Sequence, residues 1–182
     1  MPMFSPHLSL AKELWGNFLT PQDLAIDATC GNGHDTLFLF GLCSVIGLDI
    51  QEKAVQETKK RFESQGKTCD IRLFCHSKID ELALHKAPKL IVYNLGYLPG
   101  SDKKVTTKTE TSLLSAQKSL KILAPDGALS ITCYPGHQEG ALEESCLLQW
   151  AQELDSKKFL VRYTCWPNRS KSPTLLWISC IT

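Results

Sequence analysis

Short runs of β-forming residues alternate with longer segments of helical periodicity, and this alternation restricts the possible folds more than any other feature of the chain. Five strand–helix units are followed by two more β-forming runs, with no room for a helix between them. Repeated βαβ units build a parallel sheet with helices on both faces. Two strands joined by a short loop are antiparallel, so the last strand should run against the others at or near one edge. The sequence therefore predicts an α/β fold: a seven-stranded, mostly parallel sheet ending in an antiparallel β-hairpin.

The expected elements follow from the spacing of apolar residues. An amphipathic helix over Leu8–Phe18 opens the chain. The predicted strands are Leu24–Ala28, Ser44–Asp49, Ile71–Cys75, Leu90–Leu95, Ala128–Cys133, Leu160–Trp166 and Leu175–Ile181. The predicted later helices are Thr36–Phe40, Lys53–Glu63, a weak Ile79–Leu84, Thr111–Ile122 and Ala141–Leu154. No repeat, low-complexity tract or linker is visible, so residues 1–182 should form one domain, with residues 1–20 a leading helix packed on its core.

Composition argues against several classes of protein. The formal net charge is +1, and the eight cysteines include no C-x-x-C pair. Cysteines scattered through apolar runs are typical of a reducing compartment rather than of a disulfide framework or a zinc site. The first seven residues lack the pattern of a signal peptide, and no apolar run could cross a bilayer. We therefore expect a cytoplasmic protein without a metal or a membrane partner.

Basic residues are unevenly distributed along the chain. A mid-chain stretch carries Lys103, Lys104 and Lys108. From residue 157 onward there is no carboxylate but there are five basic residues, Lys157, Lys158, Arg162, Arg169 and Lys171. Two interpretations stay open: solvated faces, or a surface that follows the phosphates of a nucleic acid.

A turn with two glycines follows the first predicted strand, at the edge where doubly wound sheets bind ligands. The glycines allow a tight turn and a close approach to a ligand, and amides at the start of the next helix can hold a carboxylate. A dinucleotide fingerprint needs a third small residue where Thr36 stands, and the nearby aspartates would repel a pyrophosphate. The loop therefore favours S-adenosylmethionine, whose amino-acid tail is zwitterionic. The candidate cofactor-binding residues here are Asp27, Gly31, Asn32, Gly33, Asp35 and Thr36.

Polar residues after the second and third strands are further cofactor-binding candidates. Asp49 can accept hydrogen bonds from both ribose hydroxyls, and Gln51 follows closely. The alternative for Asp49 is to cap the next helix. His76 and Ser77 lie where contact with an adenine ring is expected, although Ser77 could equally cap the turn that follows.

The turn after the fourth strand reads NLGYLPG and bears on the methyl acceptor. Methyltransferases that act on nitrogen often carry Asp/Asn-Pro-Pro-aromatic here, and the polar side chain accepts a hydrogen bond from the target amine. Asn94 and Tyr97 keep the polar and aromatic positions without the two prolines. We expect Asn94 to contact both cofactor and amine, and Tyr97, Gly100, Lys103 and Lys104 to contact substrate. A purely structural turn is the alternative.

Tyr134 and His137, after the fifth strand, are expected to contact the substrate as well. His137 is also a candidate general base, because an amine must lose its proton before it attacks. A lone histidine is often only a hydrogen-bonding surface residue, and methyl transfer needs only positioning if water takes the proton.

With these motifs the chain resembles a family of small bacterial class I methyltransferases, long described as rRNA methylases and associated with modification of the tRNA wobble uridine. The stretches that carry the resemblance are DATCGNGHDTLFL (27–39), GLDIQEKAVQET (47–58), YNLGYLPGSDK (93–103) and YPGHQEG (134–140). The NRSKSP segment (168–173) is similar to the family's turn between the last two strands. Cys30 and Pro135 depart from the residues more usual in the family.

The resemblance implies methyl transfer from S-adenosylmethionine to the aminomethyl nitrogen of 5-aminomethyl-2-thiouridine at tRNA position 34, in the anticodon loop. A homodimer is compatible with so small an enzyme acting on RNA. Two alternative functions remain open at this point: a methyltransferase for rRNA or a small molecule, and an NAD-type nucleotide-binding protein.

Overall fold

The computed structural model describes residues 6–96, 107–169 and 171–181. Its helices are α1 (Pro6–Phe18), α2 (His34–Phe40), α3 (Glu52–Glu63), α4 (Thr109–Ile122) and α5 (Gln138–Gln152), with a 3₁₀ helix over His76–Glu81. Its strands are β1 (Leu24–Asp27), β2 (Ser44–Asp49), β3 (Asp70–Leu73), β4 (Leu90–Asn94), β5 (Ala128–Cys133), β6 (Phe159–Thr164) and β7 (Thr174–Cys180). No helix among these residues has the length and apolar character to cross a membrane.

The seven strands form one sheet in the order β3-β2-β1-β4-β5-β7-β6. The pairs from β3 to β5 are parallel, whereas β7 runs antiparallel to both β5 and β6. The predicted α/β class and terminal hairpin are confirmed. The last strand lies one place inside the edge because most of β7 is buried, whereas β6 alternates between half-buried and exposed residues. An edge position suits the more exposed strand.

The predicted helix over Ile79–Leu84 was wrong in its type and its end. The segment is instead a 3₁₀ helix that ends at Glu81 and is interrupted at Lys78, whose backbone leaves helical geometry. Leu82 and Leu84 follow the helix and pack against the core. The spacing of these two leucines suggested an amphipathic helix. They instead reach the core from the segment that follows the 3₁₀ helix, where Leu82 is extended.

An apolar core lies on each face of the sheet. Side chains from α4 and α5, among them Ala116, Leu147 and Ala151, cover one face. Helices α1 and α2 cover the other face. Trp15 fixes α1 to the sheet, because its buried indole donates a hydrogen bond of 2.9 Å to the Ser130 hydroxyl of β5. An indole N–H buried without such a partner would be destabilising.

The direction in which strands are added to the sheet reverses at β1, because the connection from β3 brings β4 to the side of β1 opposite β2. Successive strands after β1 extend one way to β2 and β3, and β4 then pairs on the opposite side of β1. Asp27, at the end of β1, is level with Gly47 of β2 and Val92 of β4. The carboxyl ends of these strands therefore meet at one edge, at the switch point where open α/β sheets bind ligands.

Candidate active site

The glycine turn between β1 and α2 adopts a backbone that other residues would strain. Gly31 has φ 53° and Gly33 has φ 77°, both in the left-handed region. A Cβ on Gly33 would lie 2.8 Å from the Thr58 methyl carbon. The Thr58 hydroxyl donates to the Gly31 carbonyl at 3.0 Å, and the Arg61 Nε donates to the Asn32 carbonyl at 2.6 Å. Helix α3 therefore holds the turn in place.

Asp27 braces this turn from beneath. Its carboxylate is only 1% exposed and accepts hydrogen bonds from the Thr36 hydroxyl at 2.6 Å and the Thr29 amide at 3.2 Å. Burial raises the pKa of Asp27 to about 7. Thr36, which stands in place of the third fingerprint glycine, is thus a structural partner of Asp27.

Asp49 joins the end of β2 to the glycine turn. One carboxylate oxygen accepts from the Gly31 amide at 3.0 Å, and the other accepts from the Gln51 amide at 2.9 Å. Burial raises its pKa, whereas these amides lower it. The N-cap of α3 is the half-buried Gln51, and its side chain makes no capping bond. The alternative of Asp49 as the helix cap is therefore wrong, and its carboxylate is held by the two segments expected to surround the cofactor.

Asn94, at the end of β4, lies at the centre of a polar cluster. Its backbone amide donates to the Thr29 hydroxyl at 2.8 Å, and its side-chain Nδ2 donates to Asp35 Oδ2 at 3.1 Å. The other Asp35 oxygen lies 3.1 Å from Lys12 Nζ. The Asn94 Oδ1 atom is buried and accepts no hydrogen bond of normal geometry from the described residues, although the Asn94 side chain also interacts with the Tyr134 hydroxyl and lowers the pKa of that tyrosine against the effect of burial. A buried acceptor of this kind is costly unless a ligand fills it.

Tyr134, after β5, completes the cluster together with a residue of α1. The His7 ring meets Tyr134 edge-on, with 5.6 Å between centroids, and the His7 Nε2 lies 3.4 Å from the Tyr134 hydroxyl. Burial raises the pKa of Tyr134 to about 12 and lowers that of His7, so both side chains are neutral near pH 7. Gly96 approaches the Tyr134 ring, and a Cβ there would lie 3.7 Å from it.

His137 is the N-cap of α5. Its Nδ1 accepts a hydrogen bond from the Gly140 amide at 3.1 Å. The neutral ring therefore carries its proton on Nε2 and can donate from that atom. This contact supports the alternative of a structural histidine, because a general base would need the lone pair that the Gly140 amide already occupies.

His76 and Ser77, the candidates for contact with an adenine ring, begin the 3₁₀ helix, and His76 lies on the helix-α4 side of the sheet. His76 is buried and meets Tyr93 edge-on at 5.9 Å, and burial lowers its pKa to about 4. Its carbonyl accepts a hydrogen bond from the Ser115 hydroxyl at 2.7 Å, whereas its Nδ1 has no partner among the described residues. Ser77 lies 3.1 Å from the Cys75 sulfur.

Four predicted substrate-binding residues, Tyr97, Gly100, Lys103 and Lys104, lie outside the described residues. The two positions that flank their segment are joined: the Thr107 amide donates to the Gly96 carbonyl, and the Gly96 amide donates to the Thr107 hydroxyl, both at 3.0 Å. The Thr107 hydroxyl in turn donates to Glu143 of α5 at 3.0 Å.

Sequence reasoning missed two groups of residues around the site. His7 and Lys12 contact it from α1, and nothing local in the sequence signals contacts that span 23 to 127 residues. The second group is Glu139 and Glu143 of α5. They accept hydrogen bonds from Thr109 and Ser112 at the start of α4. Their spacing of four residues, which puts both on one side of a helix, was the available signal.

The parts of the chain that the structure describes contain no group of three or more histidine, cysteine, aspartate or glutamate side chains that could hold an ion. The cluster at the sheet edge is suited to hydrogen bonding rather than to metal coordination.

Comparison with known proteins decides the family. The profile of the family described as "Putative rRNA methylase" matches residues 45–179. The chain belongs to this family. A curated relative from Arabidopsis thaliana, the chloroplastic tRNA (mnm(5)s(2)U34)-methyltransferase, is 31% identical over 93% of this chain and 67% of its own length.

Solved structures of the family agree with the fold. A "putative rRNA-methylase" from Clostridium thermocellum is 30% identical with a TM-score of 0.92, covering 98% of this chain and 100% of that one. A "putative methyltransferase" from Streptococcus mutans, solved in complex with SAH, is 30% identical with a TM-score of 0.88 over the same shares. The family member described here is thus a Rossmann-like methyltransferase that uses S-adenosylmethionine. The NAD-type alternative is excluded.

The residues at the sheet edge fit this cofactor. The two left-handed glycines place the backbone of the turn against Asp49, and the half-buried Asp49 carboxylate suits ribose hydroxyls. The Asn94 Oδ1 atom, buried and without a hydrogen-bond partner among the described residues, is an acceptor at the same edge. Which residues contact the cofactor stays a prediction. Asp27 supports the glycine turn through its hydrogen bonds to Thr36 and Thr29.

Proposed function

We propose that this methyltransferase transfers the methyl group of S-adenosylmethionine to the aminomethyl nitrogen of 5-aminomethyl-2-thiouridine at tRNA position 34. The observation that carries the proposal is the buried Asn94 Oδ1 at the end of β4, which has no hydrogen-bond partner in the part of the chain that the structure describes. An amide oxygen accepts hydrogen bonds and suits the N–H of an amine. The plant relative matches nearly the whole chain, and its name supports this nucleoside as the acceptor.

Each part of the site has a role in this proposal. The glycine turn, Asp49 and Gln51 hold the cofactor, which supplies a methyl group on a positively charged sulfur. Asn94 Oδ1 accepts a hydrogen bond from the amine and fixes the direction of its lone pair. Tyr134 and His7, both neutral, form the wall beside it. Water takes the proton that the amine must lose, since His137 Nδ1 is engaged by the Gly140 amide.

Basic residues at the same edge would contact the phosphates of the anticodon loop. Arg169 and Lys171 lie in the turn between β6 and β7, and a Cβ on Gly136 would lie 3.7 Å from the Lys171 carbonyl. Lys157 and Lys158 precede β6, at the other end of that strand, where the Lys158 carbonyl accepts a hydrogen bond from the Ile181 amide. Four of the five C-terminal basic residues therefore form two pairs, Arg162 lies within β6, and of the two pairs only Arg169 and Lys171 lie beside the site.

The proposal is tested with purified protein, S-adenosylmethionine and tRNA carrying the aminomethyl nucleoside, followed by nucleoside mass spectrometry. We expect a product 14 Da heavier at position 34. Ribosomal RNA in a parallel reaction tests the activity that the family's description names. Methylation of rRNA with unchanged wobble uridine would reject the tRNA proposal and leave the methyltransferase intact.

A substitution then tests the role of Asn94 in this reaction. Asn94→Ala should lower kcat on the order of 100-fold, the usual cost of one positioned hydrogen bond in a water-poor site. The Kd for S-adenosylhomocysteine, measured by calorimetry, should change little. Loss of cofactor binding with kcat retained at saturation would show that Asn94 serves the cofactor alone.

A further inference from the structure

The side chain of Asn94 has two chemically different ends, and its neighbours decide which end faces the substrate. Asp35, as a carboxylate, can only accept hydrogen bonds. Its Oδ2 lies 3.1 Å from Asn94 Nδ2, so the amide nitrogen must point at α2 and the oxygen must point away from it. The reverse orientation would place two acceptors against each other, which is unfavourable for buried groups.

Asp35 is itself held in place from a third element. Lys12 Nζ, on α1, lies 3.1 Å from Asp35 Oδ1 and 5.3 Å from the centroid of the Phe38 ring. Asp35 is largely buried, with 14% of its side chain exposed. Both of its oxygens are therefore assigned, one to Lys12 and one to Asn94, and its rotation is restricted.

We infer that Asp35 is a positioning residue that acts through Asn94, fixing the amide so that its oxygen is presented to the methyl-accepting amine, with Lys12 holding Asp35. This inference rests on the proposed function for the identity of the acceptor. It gives Asp35 a role other than binding the cofactor, which its place in the glycine turn would suggest. The contacts from Lys12 on α1 through Asp35 on α2 to Asn94 on β4 thus fix the orientation of side chains and do not transfer a proton.

Asp35→Asn is the informative change, because the new amide keeps the shape but no longer dictates which end of Asn94 faces it. We expect kcat on aminomethyl tRNA to fall about tenfold, with the Kd for S-adenosylhomocysteine within about twofold of the unsubstituted protein. Lys12→Met should lower kcat less, about threefold. Asp126→Asn, which breaks a surface ion pair with Lys89 far from the site, is the matched control and should have no effect.

A double-mutant cycle separates positioning from any direct role. If Asp35 acts only through Asn94, adding Asp35→Asn to Asn94→Ala should lower kcat no further. A second tenfold loss in the double variant would overturn the inference. So would a Kd for S-adenosylhomocysteine that rises in step with the loss of activity, since Asp35 would then be a cofactor ligand.

A measurement without activity keeps the inference distinct from the proposed function. The chain has four asparagines, so selective ¹⁵N labelling gives four side-chain amide signals. The Asn94 signal, identified by its loss in Asn94→Ala, should exchange with solvent at least tenfold faster in Asp35→Ala. Unchanged exchange in Asp35→Ala would overturn the inference. If exchange is faster in Asp35→Ala but the unsubstituted protein does not methylate tRNA, only the proposed acceptor is rejected.

Discussion

At the scale of single residues, the site pairs buried acids with the backbone of the glycine turn. Asp27 is the extreme case, because its carboxylate is fully enclosed and Asp35 and Asp49 add their negative charge. Two hydrogen bonds from Thr36 and Thr29 offset only part of the cost of keeping it charged. Its protonation therefore contributes to stability in a pH range that most aspartates do not reach.

Asp27→Asn should reduce the dependence of stability on pH. The pKa of Asp27 is raised from 3.8 to about 7 on folding. A raised acid contributes stability that is complete below the unfolded value and is lost as the pH rises through the folded value. The loss is on the order of 4 kcal/mol between pH 4 and pH 8, at 1.4 kcal/mol per pH unit.

Urea unfolding of the cofactor-free protein at pH 5 and pH 8 measures this effect. The difference in unfolding free energy between the two pH values should be smaller in Asp27→Asn than in the unsubstituted protein. The matched control is Asp126→Asn, whose carboxyl is exposed and has its pKa lowered by Lys89. If the unfolding free energy depends equally on pH in Asp27→Asn and in the unsubstituted protein, Asp27 is charged throughout this range.

At the scale of elements, the carboxylates of Glu143, which is buried, and Glu139, which is partly exposed, connect α5 to the start of α4. Glu143 accepts the Ser112 hydroxyl at 2.6 Å and the Thr107 hydroxyl at 3.0 Å, and burial raises its pKa. Glu139 accepts from both the amide and the hydroxyl of Thr109. The start of α4 thus depends on the side chains of α5.

Glu143→Ala should destabilise the fold by about 2–4 kcal/mol, because it leaves two buried hydroxyl donors without their acceptor and creates a cavity. Thermal and urea unfolding measure the change. Glu153→Ala, at the exposed C-terminal end of the same helix, should change stability by less than about 0.5 kcal/mol. Equal effects of the two substitutions would mean that the contacts at the start of α4 are not stabilising.

Much of this architecture was predictable because its causes are local. The β1, β2, β4 and β5 strands show in the sequence as apolar runs, and polar residues at their carboxyl ends must meet because parallel strands share one edge. Asp49 and Asn94 were found in this way. The contacts of His7, Lys12 and Glu143 were not, since they join helices distant in sequence. The 3₁₀ helix was mistaken because core packing outweighed periodicity.

At the scale of the whole molecule, four of the five C-terminal basic residues form two pairs that flank opposite ends of β6, and Arg162 lies within that strand. Arg169 and Lys171 are exposed beside the turn that carries Tyr134, and Lys157 and Lys158 are exposed at the far end of β6. Phosphate contacts raise affinity for RNA in proportion to the counterions that they release. Only the first pair should therefore influence binding of a substrate whose target nucleoside enters at the site.

Replacing Arg169 and Lys171 together by glutamine should raise the KM for tRNA about fivefold to tenfold. It should also lower the slope of log affinity against log salt by about 1–2. The same exchange at Lys157 and Lys158 removes as much charge and should change neither quantity. Filter binding at several salt concentrations provides the slopes. Equal losses from both pairs would indicate attraction by net charge alone.

The position of β7 between β5 and β6 also sets the order in which a growing chain can fold. Until residues 174–180 have been synthesised, β5 has a bare edge and β6 has no neighbour to pair with. A bare strand edge is open to pairing with other chains. On the ribosome the sheet therefore stays incomplete beside Tyr134 until residues 174–180 have left the exit tunnel.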